Sequence, residues 1–178
     1  MHSFVANFRD VGQTINILAE TKLMREGILF RGGKIEGIQD LAQIGAPKVV
    51  VNLRKGVDPT FREVISLHSP APDSVEVYDI SQGRNRKWIG ETIRMIFEVD
   101  EHFPCFIHCA AGKDRTGVII ASILSILEID AKLIHEEYLI SMGLLQPALI
   151  RKTIKDLRDP RIYKKLDIKA IRSKFLCG

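Results

Sequence analysis

Eleven residues, Ile107-His108-Cys109-Ala110-Ala111-Gly112-Lys113-Asp114-Arg115-Thr116-Gly117, lie between two apolar segments, and this run constrains the chain more than anything else in it. Upstream, Cys105–His108 reads as a short strand. Downstream, Thr116–Leu127 is apolar nearly all round, the pattern of a buried central helix. A strand that turns directly into a helix leaves the first helical N–H groups facing the turn, with positive potential in front of them. Ala110, Ala111 and Gly112 are small, so the backbone can approach whatever sits there. Strand, tight loop and helix together form an anion-holding arrangement.

The rest of the chain fits an α/β fold around that unit. Ile28–Arg31 and the continuous apolar run Val49–Leu53 read as strands, the second buried on both faces. Val75–Ile80 alternates and predicts another strand, while 61–67 predicts a helix. Gln39–Ile44 predicts a short helix closed by Gly45, and Ile89, Ile93, Ile96 and Phe97 recur at helical spacing. Asp130 reads as an N-cap with Ile129 and Ile134 as its hydrophobic staple, Pro147 opens a further helix, and Ile162–Phe175 is expected to be helical. The expectation is a central, largely parallel sheet flanked by helices, in one domain spanning 1–178.

Cys109 and Arg115 give the loop its chemistry. The helix start, Lys113 and Arg115 all favour thiolate over thiol at Cys109, and the thiolate is the nucleophilic form. Arg115 follows six positions later, so its guanidinium can return to the same anion, where its planar fork matches two phosphate oxygens. Thr116 is placed to donate a hydroxyl hydrogen to the sulfur when it leaves. A Cys–Arg pair at this spacing alone is common by chance; the whole run in its strand–helix context is not.

That run, His108–Gly117, resembles the phosphate loop of the protein tyrosine phosphatase superfamily, and the Gly-Lys-Asp-Arg-Thr-Gly version resembles its bacterial and fungal tyrosine-phosphatase-like branch. Asn7-Phe8-Arg9-Asp10-Val11-Gly12, Leu29-Phe30-Arg31-Gly32-Gly33, Val49–Arg54 and Glu137–Ser141 resemble further segments of that branch, with Asn52 where the branch usually has Asp. The resemblance implies a cysteine-dependent phosphomonoester hydrolase working through a phosphocysteine, on phosphotyrosine (dual-specificity) proteins or on phosphoinositides and inositol phosphates. Cys109, Arg115 and Thr116 would be catalytic, and Ala110, Ala111, Gly112, Lys113 and Gly117 would bind the phosphoryl group. A non-catalytic phosphate-binding module, or a sulfur-transfer or arsenate-reducing enzyme on a similar loop, are the alternatives.

The leaving oxygen needs a proton. Asp79, thirty residues before Cys109, and Asp114 inside the loop are the candidates. Asp79 is preferred because a separate loop can place it beside the leaving group; a strand-end cap and a helix-start carboxylate are the respective structural roles. Arg84, Arg86 and Lys87, with Trp88, read as a basic loop rimming the pocket and selecting multiply charged substrates, or else as a solvated turn. His108 reads as a support for the loop, and Arg9, Asp10 and Arg54 as braces.

Composition bounds the remaining classes. A net charge of +4 suits an anionic substrate, without any nucleic-acid-reading motif. Met1–Asp10 has no leader-like apolar run, and the longest apolar run is too short for the roughly 20 residues of a membrane span. Three cysteines argue against a disulfide scaffold, and Cys105 and Cys109, about 13 Å apart on a strand, cannot bridge. A cytoplasmic monomer is expected, or one exported without a cleaved signal. No metal or cofactor is required, because thiolate, arginine and acid cover the chemistry, and the histidines lack ligand spacing.

Overall fold

The computed structural model describes residues 5–71, 74–98 and 100–178; the expectation for Met1–Asp10 falls partly outside them. Five strands form one sheet in the order β1-β2-β5-β3-β4: β1 (Arg9–Asp10), β2 (Leu29–Gly32), β3 (Val49–Asn52), β4 (Ile65–His68) and β5 (Cys105–His108). Only β1 runs antiparallel, against β2. β5 lies in the middle, parallel to β2 and β3 on either side. All four of its residues are buried, as is every residue of β3, which is what their unbroken apolar sequences require.

Among the described residues six α-helices flank the sheet: α1 (Val11–Ala19), α2 (Gly83–Phe97), α3 (Asp114–Ile126), α4 (Ala131–Leu139), α5 (Pro147–Asp156) and α6 (Ile168–Phe175). α3 is the core helix, with Val118, Ile119, Ile120, Ile123 and Leu124 fully buried. Val49, Val51, Cys105 and Ile107 face this helical layer. Val50 and Phe106 point the other way, into a smaller cluster with Val5, Ile35, Ile38 and Ile44. Period-two alternation within β3 and β5 thus feeds two cores at once.

Three expectations are corrected. Residues 61–67 do not form a helix: Ile65–His68 pairs with β3 as an edge strand whose Leu67 packs against the main core, while Phe61 and Val64 pack against the smaller cluster. Phe61, Val64 and Leu67 share a helical spacing, but backbone pairing with β3 overrides it. Val75–Ile80 is not a strand. Ser74 caps a 3-10 turn over Val75–Tyr78 by accepting from Glu76 N, and the turn buries the adjacent Val77 and Tyr78 together, which a strand with alternating faces would not do. Ile162–Phe175 is broken into a 3-10 turn, Pro160–Tyr163, and α6. The short segment after Asp40 is likewise a 3-10 turn, Leu41–Ile44, closed by Gly45.

α1 has no counterpart among the expected elements. Asp10 starts it, accepting from Gly12 N and Gln13 N. The N-cap of α4 forms as expected, with Asp130 accepting from Lys132 N, and Ile129 and Ile134 are both buried in the main core. Among the described residues no helix is long and apolar enough to cross a membrane. The three thiols are free, and burial pushes that of Cys105 up.

Candidate active site

Parallel register brings three strand ends to one edge. Gly32, Asn52 and His108 lie side by side across β2, β3 and β5. The chain segments that follow them therefore surround Cys109, the first residue beyond β5. In an open parallel sheet this carboxyl edge, next to the central strand, is where ligands bind. Cys109 is buried there, at 2% exposure.

The loop's shape follows from where its carbonyls go. Ala110 O accepts from Lys34 N at 3.1 Å. Ala111 O accepts from Asn7 Nδ2 at 2.8 Å. Gly112 O accepts from Arg31 Nη2 at 2.8 Å. Three successive carbonyls are thus bound to protein outside the loop, which leaves the opposite, N–H edge of the backbone free for an anion. α3 has no side-chain N-cap, so its first amides remain available to an anion. Gly112 adopts φ +67°, and a Cβ there would collide with the backbone of Gly32 and Gly33. Only glycine satisfies both conditions.

Behind the loop lies a buried ion network of which the sequence reading assigned only Arg9. Glu137 on α4 accepts from Arg31 Nη1 at 2.6 Å and from Arg9 Nε at 2.8 Å. Arg9 also reaches the Glu137 carbonyl and Ser141 Oγ. Arg31 is fully buried, and burial lowers its pKa to about 10 despite the opposing pull of Glu137. The Cys109 sulfur also acts on Arg31, raising it, so a second cation beside Arg115 shares the electrostatics of the loop. A sequence signal existed: Glu137 stands three positions after buried Ile134, on the inward face of its helix.

Arg115 is buried at the start of α3 and donates from Nη1 to the Leu53 carbonyl at 3.3 Å, which ties the clamp to the end of β3. The Thr116 hydroxyl is buried and makes no hydrogen bond among the described residues. Gly117 lets α4 pack closely: a Cβ there would stand 2.9 Å from the Tyr138 ring. His108 Nε2 meets Asp58 Oδ2 at 2.7 Å, and Asp58 in turn takes Arg54 Nη2 at 3.0 Å. Arg54 also pairs with Glu36, and these hydrogen bonds outweigh its burial and hold its pKa up. Asn52 shapes this turn by donating to Gly56 O and accepting from Arg54 N. Arg9 and Arg54 are therefore braces, whereas Asp10 serves α1.

The two carboxylates differ sharply. Asp79, half-buried, accepts from Ser81 Oγ at 2.6 Å, Gln82 Nε2 at 2.9 Å and Ser81 N at 3.1 Å. These donors hold it below the usual carboxylate range and turn it toward the residues that follow it. Asp114 accepts from the Tyr78 hydroxyl at 2.6 Å and pairs with Lys113 at 3.4 Å. Tyr78 also meets the Tyr138 hydroxyl at 2.7 Å, and burial followed by these bonds pushes its own pKa up. Lys113 donates to Leu144 O, so part of its charge is spent on the 140–146 turn.

Arg84, Arg86 and Lys87 lie in the first turn of α2 rather than in a loop. Arg84 pairs with Glu76 on the surface. Arg86 donates to the carbonyls of Ile80 and Ser81. Arg86 and Lys87 line a cavity to which no residue of the Cys109 loop contributes. Trp88 packs on the main core and donates to Ser69 O, as a helix-start core residue would.

A mixed, mostly parallel five-stranded sheet that delivers a cysteine–arginine loop to a helix start defines a phosphoric monoester hydrolase of tyrosine-phosphatase type. The chain belongs to the tyrosine phosphatase family, whose sequence profile matches residues 2–174. No curated protein matches it. Among solved structures it is similar to the core catalytic domain of the PP-IP phosphatase Siw14 from S. cerevisiae, at 18% identity and a TM-score of 0.64, over 98% of this chain and 95% of that one. It is also similar to TpbA from P. aeruginosa, at 18% identity and 0.56, over 83% and 85% of the two chains, and to DUSP15, at 14% and 0.51, over 85% and 93%.

Proposed function

We propose that this phosphatase works through a phosphocysteine on Cys109, and that its substrates are multiply phosphorylated inositol compounds. The observation that carries the mechanism is the outward fixing of the Ala110, Ala111 and Gly112 carbonyls, which leaves a preformed ring of amides over a buried sulfur. Cys109 Sγ attacks phosphorus, and the bond to the leaving oxygen breaks. Arg115 and the loop amides take the charge on the equatorial oxygens. Asp114 gives the leaving oxygen its proton, then accepts one from the water that splits the S–P bond. The Thr116 hydroxyl, buried with no other acceptor, is available to the departing sulfur.

Asp114 is preferred to Asp79 because it belongs to the loop and is held by Tyr78, while the hydrogen-bond capacity of Asp79 is taken up locally. Substrate choice rests on charge at the rim. Lys34 N binds the loop itself, and the Lys34 side chain is exposed beside it; Lys55 is exposed just beyond β3. Two cations at the mouth favour a substrate carrying more than one phosphate. Similarity to a PP-IP phosphatase supports this, and similarity to TpbA, which has been crystallised with pTyr, keeps phosphotyrosine as the second reading.

The test is hydrolysis of a small aryl phosphate by the wild type and by Cys109→Ser. Activity that persists in the variant ends the proposal. Comparing kcat/KM for a soluble inositol polyphosphate and a phosphotyrosine peptide then decides the substrate; a higher value for the peptide overturns the inositol assignment.

A further inference from the structure

A second anion-seeking feature stands apart from the catalytic loop. It is a cavity of about 920 Å³ between α2, the end of α5 and the 3-10 turn at Pro160–Tyr163. α2 contributes Arg86, Lys87 and Arg94, and α5 contributes Lys155. Arg161, Lys164 and Lys165 complete the basic wall, opposed by the carboxylates Glu91, Asp156 and Asp159. Seven of the chain's 26 basic residues and three of its 22 acidic ones thus line one cavity. Nineteen of each remain elsewhere, so the whole net charge of +4 is concentrated here.

Much of that charge is uncommitted. Arg161 is bound to Asp159 and Lys87 stands 4.0 Å from Glu91. Arg94, Lys155, Lys164 and Lys165 have no ion-pair partner among the described residues, and all four are exposed. The cavity is also fixed in shape. At its base a Cβ on Gly90 would stand 2.7 Å from the Ile162 carbonyl, so α2 and the turn meet there at backbone contact. Arg86 ties one wall to Ile80 and Ser81. Like charges held together around a concave space repel one another, and a polyvalent anion relieves that repulsion. The volume is that of a small-molecule site.

We infer that this cavity is a non-catalytic binding site for a multiply phosphorylated small anion, of the chemistry shared by soluble inositol polyphosphates and phosphoinositide headgroups. Lysine-rich walls with little hydrogen-bonding geometry of their own recognise clustered charge rather than one oriented phosphate. The site lies beside Ser81, two residues from Asp79, so a bound anion borders the segment that carries Tyr78 to Asp114. The inference is independent of the reaction proposed above.

Calorimetric titration of the full chain with inositol hexakisphosphate in about 0.15 M salt tests it. Saturable binding is expected, with one equivalent held outside the Cys109 loop. Arg115→Lys, in the catalytic loop, should leave it within about threefold, and Lys155→Gln/Lys164→Gln/Lys165→Gln should weaken it about tenfold or more. Hydrolysis of aryl phosphate by the triple variant should stay within about twofold of wild type, which shows that it folds. Loss of binding in Arg115→Lys with retention in the triple variant places the anion in the catalytic loop and overturns the inference. Joint loss of binding and hydrolysis in the triple variant also overturns it, as does affinity no greater than that for sulfate. Vesicles carrying phosphatidylinositol bisphosphate identify the source. Retention that free hexakisphosphate competes away, and that phosphatidylserine vesicles lack, supports a lipid headgroup; titration by the free anion alone supports a soluble one.

Discussion

The Tyr78 hydroxyl donates to Asp114 at 2.6 Å, joining the end of a 3-10 turn to the start of the catalytic helix across 36 positions of sequence. Tyr138 sits behind it at 2.7 Å and accepts from Gln146 N at 3.0 Å. The carboxylate proposed above as proton donor is therefore held by a chain of hydroxyls anchored in the helical layer. Removing one link should disturb geometry without touching phosphate binding. For Tyr78→Phe, kcat should fall by about tenfold while KM stays nearly constant, the pattern of a lost transition-state interaction. An unchanged kcat in steady-state assays would show that the aim is set elsewhere.

Asp114 and Asp79 can be separated directly. Asp114→Asn should lower kcat by about a hundredfold, within the range for loss of a positioned proton donor. Asp79→Asn should change it by less than about threefold. The reverse ranking would restore the preference drawn from sequence.

Asp79 should instead report on stability. Its folded-state pKa lies below the ordinary value because Ser81 and Gln82 donate to it. A depressed carboxylate pKa stabilises above the unfolded-state value of about 4, and that contribution disappears as pH falls through the folded value. Asp79→Ala should therefore lower the urea midpoint at neutral pH, and the difference from wild type should close as pH falls through the depressed folded-state value. A gap independent of pH would mean that the carboxylate is not the stabilising group.

Glu137 neutralises two arginines in a nearly dry environment, at 1% exposure. Breaking a buried ion pair from one side costs about 3–5 kcal/mol, because the charges left behind lose their compensation. Glu137→Gln should cost about 3 kcal/mol in urea unfolding and should also reduce activity, since Arg31 then holds Gly112 O less firmly. Normal activity in a destabilised variant would separate the network from the loop.

Gly112→Ala should be far more damaging to activity than to overall stability. A Cβ forces the loop away from Gly32 and Gly33, and the ring of amides opens, but the core beneath is untouched. Aryl phosphate hydrolysis alongside thermal unfolding measures the two effects separately.

The Cys109–Arg115 loop, between its strand and helix, was legible in the sequence because its signals are local. Residue size, charge order and flanking apolar runs all lie within about twenty positions. β3, β5, α3 and the Asp130 cap were legible for the same reason. The preference for Asp79 rests on a separate loop bringing it beside the leaving group, with Val75–Ile80 read as the strand before that loop. A Ser74-capped turn sends Tyr78 to Asp114 instead. The basic residues at 84–87 looked like a rim because no sequence signal shows that α2 begins at Gly83, without a side-chain cap. β4 was hidden because pairing partners are not written in the strand itself. Arg31 and Glu137 could not be matched by spacing, since 106 positions separate them.

The outward-held carbonyls also bear on how the molecule comes to be active. Ala111 is tethered by Asn7 and Gly112 by Arg31, while Arg9 and Arg31 wait for Glu137. On a ribosome the Cys109 segment emerges before its lock, which needs α4 and then the Met142 amide bound by Asn7. Contacts so distant along the chain close late. Onset of turnover should thus lag behind collapse of the hydrophobic core, making enzymatic rate a clock for the final docking of the first thirty-odd residues.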